Sequence, residues 1–372
     1  MSVKLSDVST CRQKAAGVLK IVYRFRCCKK SHEGFYSVNK STAKSFVAFC
    51  FGGASKVDVR SVNWNQVWKE KIIRNIRSEG NRDCVAYWDN LRDARRYWQD
   101  SLGWEQDRIK KMLQSLVLSL RSRVLDIGAG PGVLTIPLAE KVEHVTAVEP
   151  STAMMRVLQE NLDRYGLGNV DSVQKRWEEI DEEVDLKLPY DLVIASFSLG
   201  MEDIAEAINK MRRVCSDTVC IYWFAGQPSW DVHFGNITRL LHGAEYHPMP
   251  ACDVLFNVLY QMGIYPSITS YPYTQCRRFL SLDDAVEHYS PKYRAKNGDQ
   301  IALLKRYLQQ IVEKEDEGLV MRHSAMCMKI SWNKENEDVR LRTAHSTRTK
   351  YSDGLWQLGQ MSGRTPSSTH PQ

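Results

Sequence analysis

Val124-Leu125-Asp126-Ile127-Gly128-Ala129-Gly130-Pro131-Gly132 decides the reading of this chain. Two apolar residues, an acid, a third apolar residue and then three alternating glycines describe a buried strand breaking into a tight turn. Helix-like sequence follows from Val133 to Lys141. Glycine tolerates positive φ and exposes bare backbone, so a ligand can approach closely. The turn leads to a helix N-terminus, where free N–H groups attract electron-rich atoms. About twenty residues later a second apolar run, Val145-Thr146-Ala147-Val148, ends in Glu149 and is followed by Pro150. A carboxylate at a strand end, at that distance, suits the two ribose hydroxyls of an adenosine.

Two ligand classes use such geometry. A dinucleotide site wants G-x-G-x-x-G, but the sixth position of that frame is Val133. Asp126 also stands two residues before the first glycine, where its charge repels a pyrophosphate and favours a cation. S-adenosylmethionine carries a sulfonium and an ammonium and no phosphate. The stretch therefore resembles motif I of the class I S-adenosylmethionine-dependent methyltransferases, and Glu149 resembles their motif II acid. The resemblance spans about residues 85–332 and is most specific over 123–224. It implies a Rossmann-like α/β fold, a seven-stranded αβα sandwich, with adenosylmethionine as donor.

Composition sets bounds on this reading. The 372 residues are 43% apolar and 26% charged, ordinary for a globular protein. No run approaches the ~18 apolar residues of a membrane span, and residues 1–30 lack the apolar core of a secretory signal. Ten cysteines without a C-x-x-C pair give no zinc pattern and suit reduced thiols in the cytoplasm. No metal ligand set is expected. The net charge of +7 is uneven: residues 1–60 hold 12 Lys/Arg against 3 Asp/Glu, and residues 333–372 hold 6 against 4. The remainder is therefore acidic, which disfavours a nucleic-acid groove in the core, because phosphate tracking needs clustered basic residues.

Five segments are expected. Residues 1–60 read as a basic, flexible extension, with a short helix over about 11–25. Residues 61–120 read as a helical cap rich in rings, including Trp64, Trp68, Tyr87, Trp88, Tyr97, Trp98 and Trp104. Residues 121–226 form the adenosylmethionine-binding core. Strands are expected at about 123–128, 144–149, 170–175, 190–196 and 218–224, with helices at 132–141, 151–166 and 201–213 between them. Residues 227–332 complete the sheet on the substrate side, with helices at about 229–242, 252–262, 281–289 and 298–316 and strands at 266–273 and 322–332. Residues 333–372 are too polar to order themselves.

Ligands of such sheets lie at the carboxyl ends of the strands. The resemblance places Gly128, Ala129, Gly130 and Gly132 against the methionine part of the donor, with Asp126 beneath them. Glu149 takes the ribose, and Met154 packs near the adenine. Arg176 occupies the position where many relatives carry an adenine-binding acid, which leaves Trp177 or Glu178 for that contact. Ser196 and Phe197 end the fourth strand, where donor and acceptor meet. Tyr87, Trp88 and Trp230 are substrate-side candidates.

Methyl transfer needs alignment more than acid–base chemistry, so no catalytic dyad is expected. His233 is the candidate base. The acceptor is read as a small molecule. Three alternatives stay open at this point: a dinucleotide oxidoreductase, a non-catalytic adenosylmethionine-binding regulator, and a methyltransferase acting on RNA or protein.

Overall fold

The structure, a computed structural model, describes residues 10–15, 18–23, 61–80, 82–103, 106–316 and 318–334. The chain divides between Val62 and Asn63 into two units. In the first, β1 (Thr10–Ala15) pairs antiparallel with β2 (Val18–Tyr23). This corrects the helix expected over 11–25. Val18, Leu19, Ile21, Val22 and Tyr23 are largely β-branched or aromatic, and cross-strand pairing suits them better than a helical turn does. The rest of the expected extension, the tail from 335 and Trp104 lie outside the described residues.

The second unit opens with four helices: α1 (Trp64–Ser78), α2 (Cys84–Trp88), α3 (Leu91–Gly103) and α4 (Gln106–Gln114). Strand and helix then alternate. β3 (Arg123–Ile127), α5 (Thr135–Ala139), β4 (His144–Val148), α6 (Thr152–Tyr165) and β5 (Val170–Val173) come first. β6 (Tyr190–Ser196), α7 (Ile204–Val214) and β7 (Cys215–Phe224) follow. Beyond them lie α8 (Ser229–His242), α9 (Cys252–Gln261), β8 (Ser267–Phe279), α10 (Leu282–Lys292) and α11 (Gly298–Ile311). The short β9 (Glu313–Glu315) and the long β10 (Gly318–Asn333) end the unit.

One eight-stranded sheet runs β5-β4-β3-β6-β7-β10-β8, with β9 paired to β10 off that path. The first five strands are parallel, in register at Val124↔Val145 and Val124↔Leu192. β10 enters antiparallel between β7 and β8, with Ile330 opposite both Ile221 and Ile268. This is the Rossmann-like αβα architecture that the resemblance implied.

Side chains of a strand alternate between faces, and both faces here are buried. Leu125, Ile127, Val193 and Ala195 point into a core closed by α1, α7 and α9. Val124, Val145, Leu192 and Ile194 point into the opposite core, closed by α3, α4, α5 and α6. A third core, under α8, α10 and α11, covers the outer parts of β8 and β10.

The helices expected as a cap pack on both faces of the sheet. α1 belongs to one face of the sheet and α3 and α4 to the other, so α2 is the segment that crosses between them. Trp68 anchors the first side: it is fully buried, and its indole N–H donates to the Met201 carbonyl at 2.8 Å.

Of the boundaries that differ from the sequence reading, three have a cause visible in the structure. The helix expected over 132–141 starts only at Thr135, because Gly132 sits at φ +94° and the turn has not yet closed. The helix expected to reach 316 stops at Ile311, and Glu313–Glu315 pairs with β10 instead. The strand expected over 266–273 runs on to Phe279, because β10 continues to offer it backbone partners.

Trp68→Ala should cost ~3–5 kcal/mol, the range for emptying a large aromatic site in a core, with the Met201 carbonyl also losing its donor. Urea unfolding of the full chain measures this. A change below ~1 kcal/mol would mean that α1 is not integral to the fold.

Candidate functional site

Four strand ends and one short helix build the site. The glycine turn after β3 is stapled to the end of β4, since Gly128 and Ala129 N–H both donate to the Val148 carbonyl at 2.8 and 3.1 Å. Gly130 and Gly132 are required for different reasons. At Gly132, φ is +94°, and a Cβ would lie 2.7 Å from Leu158 Cδ1, so this glycine lets α6 pack against the turn. At Gly130, φ is +56° and nothing stands within 4 Å of where a Cβ would be. Its outer side is open to a ligand.

Glu149 lies directly opposite. Its Oε2 accepts from Gly130 N–H and its Oε1 from Ser151 N–H, both at 2.8 Å. The side chain is only 7% exposed. Burial pushes its carboxyl above the ordinary range, and the two N–H donors oppose that rise. Each carboxylate oxygen has a second lone pair, so Glu149 can still receive two hydroxyls. Ser151 caps α6, its Oγ accepting from Met154 N–H at 3.1 Å. Pro150 is half-buried between the strand and this cap, and Met154 is buried on the first turn.

Asp126 lies deeper, 2% exposed, and accepts from Thr135 Oγ1 at 2.7 Å. It fixes the start of α5 against β3. Burial pushes its carboxyl up to about 6.

α2 closes the site from above. Asp89, at its end, accepts from Ser151 Oγ at 3.2 Å and from Ala153 N–H at 2.9 Å. Asp83, at its start, caps the helix through Ala86 N–H at 2.9 Å and pairs with Arg176 at 2.5 Å. Cys84 packs on Gly200, where a Cβ would stand 2.7 Å from the sulfur. The helix is thus tied to the ends of β4, β5 and β6, and it carries Tyr87 and Trp88 over them. Those two rings meet edge to face at 5.2 Å. Lys292 Nζ lies 5.2 Å from the Tyr87 ring centre and 5.7 Å from that of Trp88.

The residues singled out by sequence separate into those at the turn and those elsewhere. Gly128, Ala129, Gly130, Gly132, Glu149 and Pro150 form one locus, which Ser151 joins through Glu149. Ser196 and Phe197 stand beside it, because Ser198 Oγ donates to the Ile127 carbonyl at 2.6 Å and backs Gly128. Trp177 is spent elsewhere. Its ring is 2% exposed in the core, its indole N–H donates to the Ala207 carbonyl at 3.1 Å, and its own carbonyl accepts from Lys210 at 3.0 Å. Glu178 is exposed on the short 3₁₀ turn Trp177–Glu179. Arg176, in the position expected of an acid, holds α2 instead. His233, the candidate base, shares a 2.9 Å hydrogen bond with the Tyr307 hydroxyl, and burial lowers its pKa.

Sequence reasoning missed Asp83, Asp89 and Thr135. Asp83 and Asp89 flank a short aromatic run, which was the available signal. Their partners lie some 60 to 90 positions away, and spacing carries no trace of them.

Among the described residues, no group of three or more His, Cys, Asp or Glu is placed to hold a metal. No helix there is long and apolar enough to cross a membrane.

Residues 124–218 match the family described as a methyltransferase domain. An uncharacterized protein of Haemophilus influenzae is 28% identical over 160 residues, covering 42% of this chain and 55% of its own length. A 23S rRNA (uracil(1939)-C(5))-methyltransferase of Klebsiella pneumoniae is 36% identical over 117 residues, covering 30% of this chain and 26% of its own. The chain thus spans about half or less of the length of these relatives. Among solved structures, magnesium protoporphyrin IX methyltransferase of Synechocystis, with bound SAH, is 15% identical at a TM-score of 0.36, covering 73% of this chain and 99% of its own.

Asp126 gives the turn a pH signature. Its folded pKa of about 6 exceeds the unfolded value of ~3.9, so the folded chain keeps that proton longer. The stability this group contributes is full below pH ~4 and is lost as pH rises through ~6. Asp126→Asn removes the charge, so its stability relative to the native chain should rise between pH 4 and 7, by up to about 3 kcal/mol. Chemical denaturation at the two pH values reads this. A parallel response of both proteins would place the Asp126 carboxyl in the ordinary range.

Proposed function

We propose, from the match of residues 124–218 to the methyltransferase-domain family, that the chain is of the class I adenosylmethionine-dependent type and transfers a methyl group from adenosylmethionine to a small molecule. One observation carries the reading: Glu149 is held by two backbone N–H groups at a strand end, facing the open side of Gly130. A buried carboxylate with unused lone pairs, beside a turn with room for a ligand, suits a ribose. Glu149, Asp126 and Asp89 together give this end of the sheet a negative cast, and beyond burial Asp126 and Asp89 each push the Glu149 carboxyl up. That cast attracts a sulfonium and an ammonium and repels a pyrophosphate.

Adenosylmethionine, when bound, supplies a methyl carbon already activated by its sulfonium. The chain's own contribution is placement. Glu149 accepts the ribose hydroxyls, the turn from Gly128 to Gly132 brings backbone to the methionine end, and Met154 offers an apolar surface. Phe197 follows β6 at φ +56°, an uncommon conformation for a non-glycine residue, and such strain gathers at functional positions. α2 covers the strand ends and keeps water away from the reacting centre.

A second reading, an RNA acceptor, draws on the Klebsiella relative's name and on a groove of about 680 Å³ whose lining includes Arg74, Arg77, Arg294, His242 and His247 along with one acid, Glu245. RNA binding that weakens steeply with salt would favour it. Salt-insensitive or absent binding leaves the small-molecule acceptor.

Calorimetry of the full chain with adenosylmethionine and adenosylhomocysteine, with NADH as control, tests the proposal. Both sulfur ligands should bind and NADH should not. Glu149→Ala should weaken binding by one to two orders of magnitude, the loss of a charged hydrogen-bond acceptor worth ~1.5–3 kcal/mol. Unchanged affinity in that variant would remove the ribose assignment, and binding of NADH alone would overturn the enzyme class.

A further inference from the structure

α10 ends on a residue that does not suit its backbone. Ala295 N–H donates to the Ser290 carbonyl at 2.9 Å and Arg294 N–H to the Pro291 carbonyl at 3.3 Å, with Arg294 at φ +55°. The same pair of bonds closes α6 at Gly166 and α9 at Gly263, where φ is +65° and +74°. Glycine is the usual residue at that position, because a Cβ is strained there. α10 keeps an arginine instead. Room is also made for its side chain: Gly80, at φ +77°, stands where a Cβ would collide with the Arg294 guanidinium. Two backbone positions are thus adapted to one guanidinium.

Internal pairing uses little of that group. One Arg294 N–H donates to the Ser78 carbonyl at 3.3 Å. Glu79, pushed up to about 7 by burial first and by Asp231 next, is offset less by Arg294 than by Arg82 or Asn75. The Arg294 side chain lines the groove of about 680 Å³ together with Arg74, Arg77, His242, His247 and the single acid Glu245. Among the described residues no carboxylate is paired with Arg77. Arg74 meets Glu70 only at 3.7 Å, with both side chains more than half exposed, a pair worth little. His242 Nε2 donates to the Tyr293 carbonyl at 2.8 Å, which leaves Nδ1 for a ligand. The ends of α1 and α8 bring about half a negative charge each. Three guanidiniums outweigh these and Glu245, so the groove stays positive even with both histidines neutral.

We propose that this groove is a second ligand site, which holds the phosphate of a small phosphorylated molecule on Arg294, Arg77 and Arg74. A guanidinium fork matches phosphate oxygens in pairs. The volume falls within the ~300–1,000 Å³ of small-molecule sites, so it has space for a body attached to the phosphate. A polynucleotide needs a longer basic track, and the acidic balance of residues 61–332 argues against one. The lining shares no residue with the glycine turn, Glu149 or α2, so the site is tested without reference to methyl transfer.

The probes are inorganic pyrophosphate and a short single-stranded RNA, each titrated by calorimetry into the full chain at pH 7, in metal-free buffer at about 50 and 200 mM salt. Pyrophosphate should bind the native chain. Arg294→Gly and Arg77→Ala should each weaken it about tenfold, as expected for the loss of a charged hydrogen-bond donor. Arg239→Ala removes the same charge from the last turn of α8, outside the groove, and should change nothing. Glycine suits the end of α10, so Arg294→Gly should leave the urea midpoint no lower than that of the native chain. No binding of pyrophosphate at up to ~1 mM would overturn the proposal. So would an equal loss in Arg239→Ala, which would mean that only net charge is felt. A lower urea midpoint in Arg294→Gly with pyrophosphate binding unchanged would make Arg294 a helix cap and no more. RNA that binds far more tightly than pyrophosphate, weakens steeply with salt and is lost in Arg77→Ala would assign the groove to a polynucleotide and overturn the small ligand.

Discussion

The carboxylate of Glu149 joins three elements that the chain keeps apart. One oxygen holds Gly130 in the turn after β3, and the other holds Ser151 at the start of α6. Between them lies the end of β4, which also anchors Gly128 and Ala129 through the Val148 carbonyl. The open face of Gly130 therefore stays in register with the acid opposite it. The positive φ at Gly130 and Gly132 makes this arrangement possible, because a side chain at either position would be strained and at Gly132 would also collide with α6.

α2 depends on the same locus. Ser151, held by Glu149, bonds Asp89, and Asp89 also takes Ala153 N–H. At the other end Asp83 is pulled two ways. Burial raises its carboxyl, but Ala86 N–H and the Arg176 guanidinium outweigh that and hold it below the ordinary range. A five-residue helix has little stability of its own. These ties at both ends, together with α1 and α3 docked on opposite faces of the sheet, are what fix it over the strand ends.

Much of this was legible in the sequence because the governing patterns are local. Continuous apolar runs such as Tyr190–Ser196 mark buried parallel strands, and the pairing of Asp126-x-Gly128-x-Gly130-x-Gly132 with Glu149 marks the turn and its acid. What stayed hidden was long-range. Trp177 beside a predicted adenine site looked like a ligand contact, yet its indole N–H finds Ala207 thirty residues away. Arg176 breaks the expected pattern because its partner is Asp83 on a helix that no spacing connects to it. Residues 11–25 misled for a different reason: with weak periodicity, their β-branched content was the better guide, and the strands follow it.

Burying acids at this end of the sheet carries a cost that points to the sign of the ligand. Asp126 is pushed up to about 6, and Glu149 is raised by burial and by Asp126 and Asp89 besides. Apolar residues of similar size would avoid that penalty, and Thr135 alone could satisfy a neutral partner at position 126. The negative cast is recovered only when positive charge arrives in the water-poor space beside Gly130, where screening is weak. A dinucleotide brings phosphates to this point and would deepen the penalty. A sulfonium with an adjacent ammonium relieves it, so the electrostatics of the turn and the methyltransferase-domain match over residues 124–218 lead to one donor by separate routes.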